Sequence, residues 1–357
     1  MYSRNASPAI WIRSIVLAAG LAASATAAVA QTYLRLEMHG VPSMTLTGEQ
    51  FLTGNKYGKP VMLAGELRIP KAGTDKLPAV ILVHGSGGLS IAADRWAREL
   101  NEIGVAAFIL DSFTGRGIVS TASDQSQLNS LAMMVDAYRA LGLLAEHPRI
   151  DPARIAVMGF SKGAVASIYS STERFRKLYA PGAVQFAAHI GLYTPCNVAY
   201  HDDTRTTGKP IRLFHGVADD YVSIVPCRTY VERLKKAEAD VALAEYPDAH
   251  HAYDNPTTPQ PVSFPSSQTT RNCLLEERAN GEIFNSKSGQ PYELASDSCV
   301  EKGPHVGYNA AAHQATVAAR GSFLMVIQLS TWPSDGIGRD SQSHQAFRAR
   351  SARTLGQ

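Results

Sequence analysis

The 357-residue sequence predicts an α/β fold, a mostly parallel, doubly wound sheet flanked by helices. Apolar runs of strand length alternate with amphipathic runs of helix length along most of the chain. Several of the strand-like runs are apolar at successive positions, as in strands buried on both faces of a parallel sheet. Strand–helix alternation of this kind needs right-handed crossovers that put helices on both faces. With 45% hydrophobic and 18% charged residues, the chain carries enough apolar material for a large core.

The first thirty residues stand outside that pattern. Arg4 and Arg13 precede an uncharged, alanine-rich run that closes in Ala28-Val29-Ala30 before Gln31. A basic start, an apolar middle and a small-residue end make residues 1–30 a secretory signal peptide. The run is short for a spanning helix of about 20 residues. Its removal takes away two arginines and no acids, so the net charge falls from +3 to +1. That balance offers no broad basic surface, so nucleic acid is not an expected partner. No later segment is apolar for long enough to span a bilayer, and no stable membrane insertion is expected after cleavage. The mature protein is expected to be periplasmic or secreted.

One α/β domain is expected over residues 31–330. Strands are expected over 61–69, 78–84, 105–110, 154–158, 183–190, 210–215 and 241–246. Helices are expected over 92–102, 125–146, 163–176 and 223–238. Residues 253–306, with several Pro, Ser, Thr and Gly, form a long loop or insertion. A helical period returns over 307–330, and the polar tail 331–357 is expected to be disordered and solvated.

Four cysteines are present, Cys196, Cys227, Cys273 and Cys299. None forms a C-x-x-C pair, which argues against a zinc knuckle or a thioredoxin-like motif. In an oxidising compartment they form two disulfides, with three connectivities open. The preferred pairing is Cys196–Cys227 and Cys273–Cys299, because the second then closes a stretch that lacks a period of its own.

The sharpest chemical signal is IAVMGFSKGAVAS, residues 155–167. An apolar strand runs into Gly159-Phe160-Ser161-Lys162-Gly163 and a helix starts at once. G-x-S-x-G in that context raises a serine on a tight turn above the end of a strand, with glycines where neighbouring backbones approach. The alternative is an ordinary strand-to-helix turn with an inert serine. A nucleophilic serine needs a base, and the base needs an orienting acid, here in the chain order Ser, Asp or Glu, His. Asp219 and Asp220 sit in a loop leaving strand 210–215, and His250 and His251 in a loop after strand 241–246. Each alone also reads as a helix cap or a solvated loop residue. Strand 78–84 ends in His84-Gly85-Ser86-Gly87-Gly88, a turn able to aim a backbone N–H at the space above the serine, with Lys162 N–H as the second donor. No phosphate-loop or dinucleotide motif surrounds it.

HGSGG (84–88), DSFTGRG (111–117), HPRIDPARIAVMGFSKGA (147–164), GVADDYV (216–222) and YPDAHHAYD (246–254) resemble dienelactone hydrolase-like proteins of the α/β-hydrolase fold. The resemblance runs from about residue 60 to about residue 325, and the insertion and cysteines resemble exported bacterial members. It implies a triad. The pattern at Gly216, Asp219 and Val222 selects Asp219 over Asp220. The pattern His251-Ala252-Tyr253-Asp254 selects His251 over His250. Ser86 and Lys162 match the oxyanion donors through their backbones. The members that name the family carry cysteine where this chain has Ser161, which shifts the expectation from dienelactone to a general carboxylic ester or lactone as small-molecule substrate.

Gly87, Phe113 and Arg116 are candidate substrate-binding residues. Arg116 either forks onto a substrate carboxylate or pairs with Asp111 and holds its loop, and the second is preferred. The Lys162 side chain either attracts an anionic substrate or faces solvent. No metal or organic cofactor is expected. The competing readings are a non-catalytic ligand-binding homologue, a peptidase or acyltransferase with the same triad, and, more remotely, a metal hydrolase using His250 and His251.

Overall fold

All seven residues of strand Leu77–Val83 are buried. Ala79, Ile81 and Val83 pack into one core, while Val80 and Leu82 pack into another. A strand with a core on each face has no polar side to show, which is why it reads as an unbroken apolar run.

The computed structural model describes residues 33–329, with side chains through 319. The expected signal peptide and tail lie outside the described residues. The strands are β1 (Arg35–Thr45), β2 (Lys59–Ile69), β3 (Leu77–Val83), β4 (Ala106–Asp111), β5 (Ile150–Phe160), β6 (His189–Leu192), β7 (Val198–Ala199), β8 (Ile211–Gly216) and β9 (Val241–Tyr246). The helices are α1 (Gly48–Thr53), α2 (Ile91–Glu102), α3 (Ser130–Ala145), α4 (Lys162–Tyr169), α5 (Glu173–Tyr179), α6 (Ile224–Lys236) and α7 (Ala310–Leu329). Eight strands form one sheet in the order β1-β2-β4-β3-β5-β6-β8-β9. β2 is antiparallel to both β1 and β4, and the other pairs are parallel. Residues of α3, α4 and α6 belong to the core on one face, and residues of α2 and α7 to the core on the other.

Four expectations are corrected. β1 has no counterpart among the expected strands, because Gly40 and Pro42 interrupt its pattern. Proline is tolerated there because β1 is an edge strand. The apolar run 183–190 is mostly loop, and β6 begins only at His189; its apolar character reflects burial of Phe186, Ala187 and Ala188. The expected helix 163–176 is two helices. Ser170 and Ser171 hydroxyls donate to the carbonyls of Ser167 and Ile168, competing with the helix ladder, and Thr172 opens α5. The expected helix 125–146 starts only at Ser130, where the Asn129 side chain accepts from Leu131 N–H.

The region 253–306 is ordered by short strands. Residues 262–263 pair with 305–306, and 268–269 with 301–302. Residues 275–277 pair with 283–285 and, on their other side, with β7. Disulfides join Cys196 to Cys227 and Cys273 to Cys299, with sequence separations of 31 and 26. Loops of that size are stabilised by about 3–4 kcal/mol each. Peptide mapping without reductant is expected to recover these two linked pairs and no free thiol; any other linkage would contradict this architecture. Among the described residues, no helix is long and apolar enough to cross a membrane.

Candidate active site

Ser161 stands between β5 and α4 with φ 51° and ψ −116°, a conformation side-chain-bearing residues rarely adopt. Such a backbone costs about 1–3 kcal/mol and persists only where the surroundings enforce it. Here the flanking glycines do so. A Cβ on Gly159 would strike the backbone of Gly163, and a Cβ on Gly163 would strike the backbone of Val83. Their absence lets α4 close over β5 and β3 and lift the hydroxyl above the carboxyl ends of the strands. The turn after β3 crosses the same space, since a Cβ on Gly85 would lie 3.3 Å from Ser161 Cβ.

His251 Nε2 is 3.0 Å from Ser161 Oγ, and His251 Nδ1 is 2.8 Å from Asp219 Oδ2. With Nδ1–H donating to the carboxylate, Nε2 is free to accept from the serine hydroxyl. Asp219 is buried, and its Oδ1 accepts from the N–H groups of Tyr221 and Val222 at 2.9 and 2.8 Å. Burial raises the Asp219 pKa, but the opposing pull of His251 and of hydrogen bonding with His215 and His251 is greater, so the carboxyl ends well below its usual range. The stability this supplies is therefore present above about pH 4 and is lost as pH falls through the depressed folded value.

The histidine is held from several sides. It forms a bridge to Val306, and its carbonyl accepts from Gly307 N–H. The rings of Tyr193 and Tyr221 each lie 4.6 Å from its imidazole. Asp254 fixes this wall by accepting from Tyr193 Oη and Trp96 Nε1. The two neighbouring candidates point elsewhere. Asp220 accepts from the backbone N–H and ring Nδ1 of His305 at 2.8 and 2.7 Å. His250 is half-buried and its Nδ1 has no hydrogen-bond partner among the described residues.

Arg116 does not pair with Asp111. It donates twice to Asp136 at 2.7 and 2.9 Å, and also to Ser112 O, Thr45 Oγ1 and Met44 O. All five of its N–H donors are thereby used inside the protein. Asp111 instead accepts from the N–H groups of Phe113 and Thr114. Phe113 is buried with its ring 4.3 Å from that of His84, so it underlies the turn rather than lining an open surface. Gly87 is exposed with open space above it. The Lys162 side chain, expected at solvent or substrate, is buried and donates to Gln125.

Tyr193, Tyr221, Gln125 and Asp136 escaped the sequence reading, because their partners come from distant segments, and His215 escaped it although Asp219 and Val222 O lie only 4 and 7 residues on. Glu37, His39 and His147 also gather, near the start of β5 and so at the opposite end of the strands from Ser161. His147 Nδ1 accepts from Arg149 N–H, so its Nε2 carries the proton and donates to Glu37. That assignment describes a clamp between β1 and the α3–β5 connection.

A sequence model of the dienelactone hydrolase family matches residues 63–279. The chain belongs to that family. Its members have the α/β-hydrolase fold, and membership makes this protein a carboxylic ester hydrolase. Among solved structures, a dienelactone hydrolase-like promiscuous phosphotriesterase from metagenomic libraries shares the fold. It is 16% identical, over 82% of this chain and 98% of that one, with a TM-score of 0.52. A thermophilic esterase from the Planctomycetes species Thermogutta terrifontis, with propionate bound, is 16% identical over 76% of this chain and 92% of that one, with a TM-score of 0.46. No curated protein matches significantly.

Proposed function

We propose that this family member is a serine hydrolase that cleaves a carboxylic ester or lactone through Ser161, His251 and Asp219 and an acyl-enzyme intermediate. One observation carries the reading: a single imidazole lies within hydrogen-bond reach of both a strained serine hydroxyl and a buried carboxylate, 3.0 and 2.8 Å away.

Ser161 Oγ attacks the ester carbonyl carbon while His251 Nε2 takes its proton. The carbonyl oxygen becomes an oxyanion between the N–H groups of Ser86 and Lys162. The tetrahedral intermediate collapses, the alkoxide leaves with the proton held on His251, and the acyl group stays on Ser161. Water then adds to the acyl carbon, His251 takes one of its protons and returns it to Ser161, and the carboxylic acid departs. Asp219 keeps Nδ1 protonated and stabilises the imidazolium. These steps use only this chain's residues and water. Two disulfides support an oxidising compartment, and with the leader pattern of residues 1–30 they favour a periplasmic or secreted location.

A fluorophosphonate probe is expected to modify Ser161 in the folded protein and not after denaturation. Peptide mapping locates the adduct. Label on another residue would move the nucleophile, and absence of label in folded protein would favour the non-catalytic binding homologue.

A further inference from the structure

Two residues whose backbone N–H groups are the proposed oxyanion donors, Ser86 and Lys162, send their side chains to the same atom. Ser86 Oγ donates to Gln125 Oε1 at 3.0 Å, and Lys162 Nζ donates to that oxygen at 3.0 Å. Thr121 Oγ1 reaches it at 3.3 Å, and Lys162 Nζ also donates to Gln125 O at 3.0 Å. Three donors converge on one position, which requires the amide oxygen there rather than the amide nitrogen.

We propose that Gln125 is a positioning residue of the oxyanion site, its one side-chain oxygen setting the separation of the Ser86 turn from the start of α4. The inference rests on the serine-hydrolase reading above. Neither Ser86 nor Lys162 belongs to Gln125's own segment; one follows β3 and the other opens α4. Oxyanion donors work by being fixed in place before charge develops, and a small misplacement is costly. The Gln125 segment is itself pinned. Thr121 N–H donates to Ser86 O at 2.8 Å. Gln125 N–H donates to Gln268 Oε1 and Gln268 N–H to Ala122 O, both at 2.8 Å. The disulfide-bearing region 253–306 therefore reaches the oxyanion turn through Gln268.

The device carries a charge. Among the described residues, Lys162 Nζ has no carboxylate ion-pair partner, only the two oxygens of Gln125. Burial pushes its pKa down to about 7, opposed in part by Asp124. The ammonium bonds the Gln125 oxygens more strongly than the neutral amine would, and its field favours an oxyanion. Its contribution is full well below pH 7, about half at pH 7, and lost above it. The titratable groups around it are Asp124 on the same loop, His84 at the end of β3, Tyr221 from the loop after β8, and beyond Ser161 the His251–Asp219 pair.

The test compares wild type, Gln125→Leu, Gln125→Glu and Lys162→Met, measuring kcat and KM for p-nitrophenyl butyrate between about pH 5.5 and 9. Thermal melts of each variant accompany the kinetics. Gln125→Leu is expected to lower kcat about 10- to 100-fold with KM changed less than about twofold. Gln125→Glu keeps the acceptor and adds a counter-charge, so kcat near neutral pH is retained and the alkaline limb moves up by about one pH unit or more. Lys162→Met is expected to remove that limb. A wild-type kcat in Gln125→Leu, a loss confined to KM, or an unmoved limb in Gln125→Glu overturns the proposal. If Gln125→Leu does not fold, the limb of the near-isosteric Gln125→Glu decides. Ser161→Ala is run in parallel. An active Ser161→Ala sinks the hydrolase reading, whereas an inactive one beside unaffected Gln125 variants sinks only this inference.

Discussion

His251→Ala is expected to lower kcat for a short p-nitrophenyl ester by about four to six orders of magnitude, while His250→Ala leaves it essentially unchanged. The two histidines are adjacent, so sequence position alone barely separates them. Geometry does: only the ring of His251 spans from Ser161 Oγ to Asp219 Oδ2. Without that ring the serine has no acceptor for its proton, and the buried carboxylate has nothing to orient. Ser161→Ala is expected to match His251→Ala, and the double variant to be little worse than either, since the members of a proton-transfer unit do not act additively. Equal losses from the two single histidine variants would mean that the imidazoles exchange roles, and a larger loss at position 250 would shift the base by one residue.

Asp136→Ala is expected to destabilise the fold by about 3–5 kcal/mol, because it strands the buried Arg116 guanidinium without its counter-charge. Asp136 lies inside α3, fully buried, and accepts from Arg116 twice and from Ser43 Oγ at 2.5 Å. The pair joins β1, the loop after β4 and α3, so its loss is felt in packing and not in substrate recognition. Urea denaturation is the measurement, with the midpoint falling and the slope unchanged. Asp111→Asn is expected to cost much less, as Asp111 only caps a turn. A wild-type midpoint for Asp136→Ala would show that the guanidinium has another anchor.

The sites of these two experiments differ in how well the sequence announced them. Ser161, Asp219 and His251 each follow a strand and sit in a loop whose local residue types betray it, GFSKG, GVADDYV and DAHHAYD. In a parallel sheet the carboxyl ends of strands share one edge, so three local patterns add up to one site. Arg116 was legible as a residue that holds its loop, but not in its partner. The nearest acid in sequence, Asp111, was the natural partner to assign. The actual one is 20 residues on, in a helix whose other buried positions are mostly apolar. Gln125 gave no signal at all in the polar stretch SDQSQLN, because what distinguishes it comes from Ser86 and Lys162, 39 and 37 residues away.

Read alone, the chain determined its layer architecture, most strands of its central sheet though not β1 or the bounds of β6, the order of its chemical residues and the preferred cysteine pairing. Those depend on periodicity, turn chemistry and loop position, which are written over a few adjacent residues. Only the tertiary structure decided which acid neutralises Arg116 and that the Lys162 side chain, left open between solvent and an anionic substrate, is buried behind the turn after β3, while to the preference for His251 it added the 3.0 Å approach to Ser161 Oγ. These outcomes depend on which side chains a crossover brings within about 3 Å of one another, and hydrogen bonds and ion pairs are made or lost on that scale.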